Sequence, residues 1–323
     1  DYLTRRAIEA CWLTDGMYNV FHAHGVSIYA DIAHQVQVIL SGMEQIALHL
    51  YGEEIWSLPK WSEDMKTPEA LFQYMYQEPS VPVFDGKDGI LTEAAGERVA
   101  GEVRHVQQFL SGSVIVHSSG EIDPLRTLEW MGLRNRQRRF VLMGQLLIRN
   151  WLEVRAPLMD PDLILYAMSL SDDYRAEDKP LHIGWLDAVA PGLLKIAWQR
   201  TGIPIKSTVL DSFVAAGRNW FRRKAGNCYS RISGVSPTWA KKKLADYHMW
   251  LVHDSDLQKY VKAVLLSPRT MERGIFRDGE VRRILEAEFT DREVHTELIG
   301  RMVTLELAIR LFFDGEERDT GIS

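Results

Sequence analysis

Cysteine is scarce. Cys11 and Cys228 are the two in 323 residues, and their separation matches neither a disulfide framework nor a metal-knuckle spacing. A disulfide-stapled scaffold is thereby disfavoured, and a reducing cytoplasm is the simplest expected compartment. Long apolar runs are missing as well: none approaches the roughly 20 residues needed to span a bilayer, and no basic-then-apolar signal opens the chain. Positive charge is not in excess. A net charge of −6 and a pI near 6.0 give no overall attraction to phosphate backbones or anionic lipid, although local basic clusters remain. Position 1 is Asp1 rather than Met, as expected of a trimmed, processed or partly observed polypeptide.

What is present is ordinary globular material. With 46% hydrophobic residues the chain can bury a substantial core, as one large domain or two closely packed ones. Ile8, Trp12, Val20 and Phe21 carry helical spacing, broken at Thr14-Asp15-Gly16. Val36 to Leu40 is short, apolar and β-branched and stops at Ser41-Gly42 before a helix-compatible run, Gln45 to Tyr51. It predicts an interior strand of a parallel sheet, a tight turn and a helix. From about 56 to 124, prolines and the Asp85–Gly89 turn cluster predict a loop-rich insertion. Helical spacing resumes over Leu125–Trp151, followed by a turn through Glu153–Asp160 and a helix over Leu163–Leu170. Further helices are expected near 209–224, 238–250, 256–265, 279–288 and 293–313. The fold class is α/β, strongly α-rich, with a first region over 1–200 and a helical C-terminal region over 201–323 packed on it.

Three stretches in order carry chemical meaning. Val38-Ile39-Leu40-Ser41-Gly42 ends a strand in small residues, which let a ligand approach backbone amides; a plain strand-to-helix turn is the bland alternative. Glu153-Val-Arg155-Ala-Pro157-Leu-Met-Asp160 brings a guanidinium close to carboxylates, as a site wall or as a buried structural ion pair. Tyr174-Arg175-Ala-Glu-Asp-Lys179-Pro-Leu, followed by Ala190-Pro191-Gly, offers an ammonium that is either catalytic or simply solvated.

In this order the stretches resemble the synthetase domain of the asparagine synthetase family: its Leu-Ser-Gly strand, its Glu-Val-Arg-x-Pro-Phe-Leu-Asp signature and its catalytic-lysine segment. Ile275–Val281 and the helix over Val303–Phe313 are weaker matches, and the resemblance covers roughly 1–55 and 125–315. It implies a parallel-sheet adenine-nucleotide fold of the PP-loop ATP-pyrophosphatase type, here as a remnant with a large helical C-terminal part. It also implies an ATP-dependent, AMP-forming ligase that adenylates a small-molecule or peptide carboxylate. An amine, ammonia or glutamine-derived nitrogen then attacks, as in asparagine biosynthesis. By resemblance, Leu40, Ser41 and Gly42 touch ATP, Glu44 helps hold Mg²⁺, Lys179 stabilises departing pyrophosphate, and Glu153, Arg155, Asp160, Arg138 and Arg139 shape the substrate wall.

The chain departs from the family pattern at three points. No Ser-Gly-Gly-x-Asp-Ser phosphate loop occurs, and Ser118-Ser119-Gly120, the nearest imitation, reads as a loop. After Leu-Ser-Gly the acidic run is reduced to Met43-Glu44-Gln45. The family's Asp-Arg pair is replaced by Arg136-Gln137-Arg138-Arg139, which argues against free aspartate and for a divergent amide- or ring-forming relative. The resemblance leaves two alternatives for the phosphate loop, upstream of Asp1 or lost, and leaves open whether a glutaminase-like domain is attached. His22, His24, His34 and His49 lack the cysteine or carboxylate spacing of a zinc site, and Asp172-Asp173 reads as a helix-ending turn. The basic runs 222–224 and 241–243, near Trp220, Phe221 and Trp239, are too local in an acidic chain to make nucleic acid the expected partner. A membrane partner is not expected either. The rival to a ligase is a non-catalytic protein of the same fold that binds a partner peptide or subunit.

Overall fold

The computed structural model describes residues 2–42, 67–71, 89–112, 114–131, 133–134, 138, 142–171, 174, 180–197, 203–205, 217, 224 and 246–315. The chain divides into two compact units, Asp1–Leu163 with Tyr247–Ser323, and Ile164–Asp246. In order, the helices are α1 (Tyr2–Leu13), α2 (Val26–Ile32), α3 (Glu93–Ser111), α4 (Pro124–Met131), α5 (Leu142–Arg149), α6 (Pro161–Ser169), α7 (Pro180–Val189), α8 (Tyr247–His253), α9 (Ser255–Leu265), α10 (Pro268–Glu272), α11 (Asp278–Phe289) and α12 (Thr296–Phe312). Two strands, β1 (Val38–Leu40) and β2 (Glu153–Arg155), pair in parallel with Val38 opposite Glu153, Ile39 opposite Val154 and Leu40 opposite Arg155. The protein is thus α-rich with a small parallel sheet.

The core of the first unit forms around α12. Its residues Ile299, Met302, Val303, Leu307 and Leu311 are buried, too wide a spread for one amphipathic stripe, so α12 must be covered from several sides. Leu3, Ala7 and Cys11 of α1, Leu257, Val261 and Leu265 of α9, and Val281, Ile284 and Leu285 of α11 join it in one apolar cluster. The expected break at Thr14-Asp15-Gly16 ends α1: the Gly16 N–H donates to Cys11 O at 2.8 Å and Gly16 sits at φ +68°, where a Cβ would lie 2.6 Å from that of Ala308. Close approach also explains Gly300, whose missing Cβ makes room for the Asn19 side chain. Burial pushes the Cys11 thiol up to about 12, which makes it a packing residue rather than a nucleophile.

Three expectations need correction. Glu153–Asp160, read as a turn, begins as strand β2. The stretch read as a loop-rich insertion contains the 19-residue helix α3. The prolines and the Asp85–Gly89 cluster that suggested loops all precede it, and Thr92 caps its start by accepting from the Ala95 N–H at 3.3 Å. Among the described residues β1 is an edge strand and not the expected interior one: it pairs there with β2 alone, and Val38 and Leu40 are 38% and 71% exposed. An apolar run is needed for a buried strand but does not by itself recruit neighbours on both sides. Ser118-Ser119-Gly120 does lie in a tight turn, closed by the His117 N–H donating to Glu121 O at 2.7 Å.

Two buried carboxylates tie the helices together. Glu306 of α12 is 1% exposed and accepts from Arg273 and Arg310. Glu288 of α11 is fully buried and accepts from the His295 N–H, the Thr296 hydroxyl and His248 Nδ1, the last at 2.9 Å. His248 Nε2 lies 2.8 Å from Asp291 Oδ1, so both ring nitrogens face carboxylates, as only the imidazolium can satisfy by donating twice. Nearby, His295 pairs with Glu293, and Glu297 with His22.

Burial alone would lower the His248 pKa, but its hydrogen bonds to Glu288 and Asp291, and their charges, raise it above its ordinary value. A raised folded-state pKa gives stability that is complete below the unfolded value of about 6.5 and fades as pH rises through the folded value. His248→Gln is therefore expected to lower stability by about 2 kcal/mol at pH 5.5. In urea unfolding the gap to wild type should narrow steadily toward pH 9. A gap that does not change with pH would contradict this pairing.

Candidate functional site

The candidate site lies at the carboxyl end of the β1–β2 pair. Both strands run in the same direction, so the turns that follow them, Ser41-Gly42 and Ala156-Pro157, emerge side by side. Open α/β sheets place ligands beyond such strand ends. The pairing is held at one end by the Glu153 N–H donating to Gln37 O at 2.9 Å and at the other by the Ser41 N–H donating to Arg155 O at 2.8 Å. The Leu-Ser-Gly turn and the Glu-Val-Arg segment are therefore in direct backbone contact. Ile39 and Val154 share the inner face, while Val38, Leu40, Glu153 and Arg155 share the exposed one.

Arg155 Nε donates to Glu153 Oε1 at 2.7 Å, with the two side chains 62% and 58% exposed. The buried structural ion pair considered for this segment is thus not what forms. The Glu153 hydrogen bond, then its charge, raises the Arg155 pKa above its ordinary value, and a pair so open to water contributes little to stability. Asp160 has a different job from bracing Arg155: its Oδ1 accepts from the N–H groups of Asp162 and Leu163, at 2.9 and 3.2 Å, capping the start of α6. Pro157 begins a single 3-10 turn, Pro157–Met159, that carries the chain from β2 to that cap.

Behind the turn stands a residue that the sequence reading missed. Gln145 of α5 is 5% exposed, and its Nε2 donates to Ser41 Oγ at 2.8 Å. The signal was available: it is the lone hydrogen-bonding side chain in the apolar run Leu142-Met143-Gly144-Gln145-Leu146-Leu147-Ile148, and a buried polar group needs a partner. Among the described residues, a Cβ at Gly42 would meet nothing within 4 Å.

The structure thus brings together Leu40, Ser41, Gly42, Glu153 and Arg155, and sets Asp160 at the next helix start. Arg138 is exposed. Glu44, Arg139 and Lys179 lie outside the described residues, as do His49, Asp172, Asp173 and most of both basic runs. Among the described residues no three His, Cys, Asp or Glu side chains converge as a metal site, and His22 Nε2 instead meets Glu297 Oε1 at 2.9 Å. The described carboxylates do not by themselves compose a magnesium site. No described helix is long and apolar enough to cross a membrane. No protein-family model, curated protein or solved structure matches the chain.

Asp160→Ala is expected to cost about 1 kcal/mol in urea unfolding through loss of the α6 cap, with Asp160→Asn retaining most of that stability. An unchanged Asp160→Ala protein would show that the cap contributes nothing.

Proposed function

We propose that this chain is the synthetase part of an ATP-dependent, AMP-forming amide ligase of the asparagine synthetase type, built on a PP-loop ATP-pyrophosphatase fold. The observation that carries the reading is the Leu40-Ser41-Gly42 turn at the carboxyl end of a parallel strand, hydrogen-bonded to Arg155 of the Glu-Val-Arg segment. Two of the three motif stretches, distant in sequence, meet at the end of a sheet where nucleotides bind in such folds. No described residue lies within 4 Å of where a Gly42 Cβ would sit, which supports close approach of a ligand to that backbone.

In this reading a substrate carboxylate oxygen attacks the α-phosphorus of ATP and pyrophosphate leaves. The acyl carbon, now attached to a good leaving group, is attacked by an amine or ammonia nitrogen, which loses a proton as AMP departs. The Ser41 amide is committed to Arg155 O, so nucleotide contact at the turn falls to the Ser41 hydroxyl and the Gly42 backbone. Lys179 would offset the charge that develops on departing pyrophosphate. Glu153 and Arg155, on the exposed face of the pair, would present a charged wall to the acid. Mg²⁺ belongs to the proposal as the nucleotide's counter-ion, with Glu44 its candidate ligand.

A second reading, a non-catalytic partner-binding protein of the same fold, is favoured by one observation. In the unit Ile164–Asp246, Trp185 and Val189 of α7 and Leu193 and Ile196 just after it are each at least half exposed. The discriminating measurement is carboxylate-dependent exchange of labelled pyrophosphate into ATP by the full-length protein. Exchange is expected, and Lys179→Ala should slow it about 10²–10³-fold while changing stability by less than about 0.5 kcal/mol. Equal rates for mutant and wild type would remove Lys179 from the mechanism. No exchange by the wild type with any carboxylate tested would favour the partner-binding protein.

A further inference from the structure

We infer that the contact between His248 Nε2 and Asp291 is a pH-sensitive latch on the turn that joins α11 to α12, closed while the imidazole carries its second proton and released when the ring loses it. The inference does not depend on the nucleotide reading. His248 Nδ1 lies 2.9 Å from Glu288 Oε1 and Nε2 lies 2.8 Å from Asp291 Oδ1, so the ring needs a proton on each nitrogen to satisfy both carboxylates. The two carboxylates are unequal. Glu288 is fully buried and is shared with the His295 N–H and the Thr296 hydroxyl, whereas the Asp291 side chain is 64% exposed. A neutral ring has one N–H, and it stays where a lost donor costs most, on Nδ1 beside buried Glu288. The lone pair then left on Nε2 repels Asp291, whose carboxylate is free to turn to water.

Asp291 is also where a release is felt. It is one of two described non-glycine residues with a left-handed backbone, at φ +58°, a conformation that costs a side-chain-bearing residue more than glycine. The N–H groups of Thr290, Asp291 and Arg292 donate back to the end of α11, to Glu286, Glu288 and Ala287 O at 3.1, 3.1 and 2.9 Å, and the Nε2 contact ties this turn to α8. The ties of Arg292 to Glu286 and Thr290 involve no group that titrates near neutral pH. Charged groups on the other elements packed on α8 have partners of their own. Toward α12, His295 pairs with Glu293, which also meets Arg283; on α9, Lys259 pairs with Asp256 and Lys262 lies over the Phe289 ring; in the 3-10 turn, His22 pairs with Glu297. Asp246 precedes α8 in the chain. Burial works against a charged His248, and the hydrogen bonds and charges of Glu288 and Asp291 outweigh it. The latch is therefore closed below the raised pKa and opens as pH climbs through it.

The test is amide hydrogen exchange of the full-length protein, resolved by NMR between about pH 5.5 and about pH 9 and corrected for the intrinsic pH dependence of exchange, with the His248 ring protons titrated in parallel. Protection of the Thr290, Asp291 and Arg292 amides is expected to fall roughly tenfold at the pH where His248 loses its proton, while the amides of α9 stay protected. Asp291→Asn suits the left-handed backbone, and its amide can accept from or donate to Nε2, so the transition should vanish with protection retained. His295→Gln should leave the transition in place. Protection of the turn that does not change with pH, a transition that persists in Asp291→Asn, or one abolished by His295→Gln would overturn the inference. Opening that begins instead at the amides of His295 and Thr296 would show that the Glu288 contact yields first, and would overturn it as well.

Discussion

The parallel pairing of β1 with β2 is the constraint on which the candidate site depends. Backbone hydrogen bonds at its two ends, Glu153 to Gln37 and Ser41 to Arg155, fix the register. Because side chains alternate along a strand, a slip of β1 by one residue against β2 would send Ile39 to the exposed face and turn its neighbours inward. A two-stranded sheet has little stability of its own. It is supported through its flanks: α5 runs into β2, and Gln145 reaches across to Ser41.

The helical body explains how so short a sheet is held. α12 is buried on several sides, and the 3-10 turn Val20–Gly25 that leads into α2 and then β1 is fastened to it, with the Val20 N–H donating to Thr304 Oγ1 at 3.0 Å. Phe21, buried in the same cluster as α12, adds packing to that bond. The elements nearest the C-terminus thereby hold the segment that delivers β1. Buried Glu288 and Glu306 each accept from more than one donor, so each joins several elements of that body and a buried carboxylate is not left bare when one partner is lost.

Much of this was legible in the sequence, and the remainder was hidden for identifiable reasons. Apolar periodicity reads out α9 and α11 because each buries a regular set of residues, such as Leu257, Val261, Val264 and Leu265. The end of β1 at Ser41-Gly42 was equally plain. β2 was not, because Glu153-Val154-Arg155 contains one apolar residue and is a strand only through its partner. α3 was obscured by the turn residues that precede it. The Asp160 cap follows a local rule, Asp before a proline-initiated helix, yet the signature around it drew attention to its charge. Gln145 was concealed by distance: nothing local to α5 indicates that its amide meets Ser41.

The central claim is that the Ser41-Gly42 turn and the Glu153–Arg155 strand together bind a nucleotide. Photo-crosslinking with 8-azido-ATP, followed by mapping of the modified peptides and competition with unlabelled ATP, tests it most directly. The account expects label within the peptides that carry 37–42 and 153–160, lost when ATP competes. Saturable label confined to other peptides, or none that ATP displaces, would contradict it.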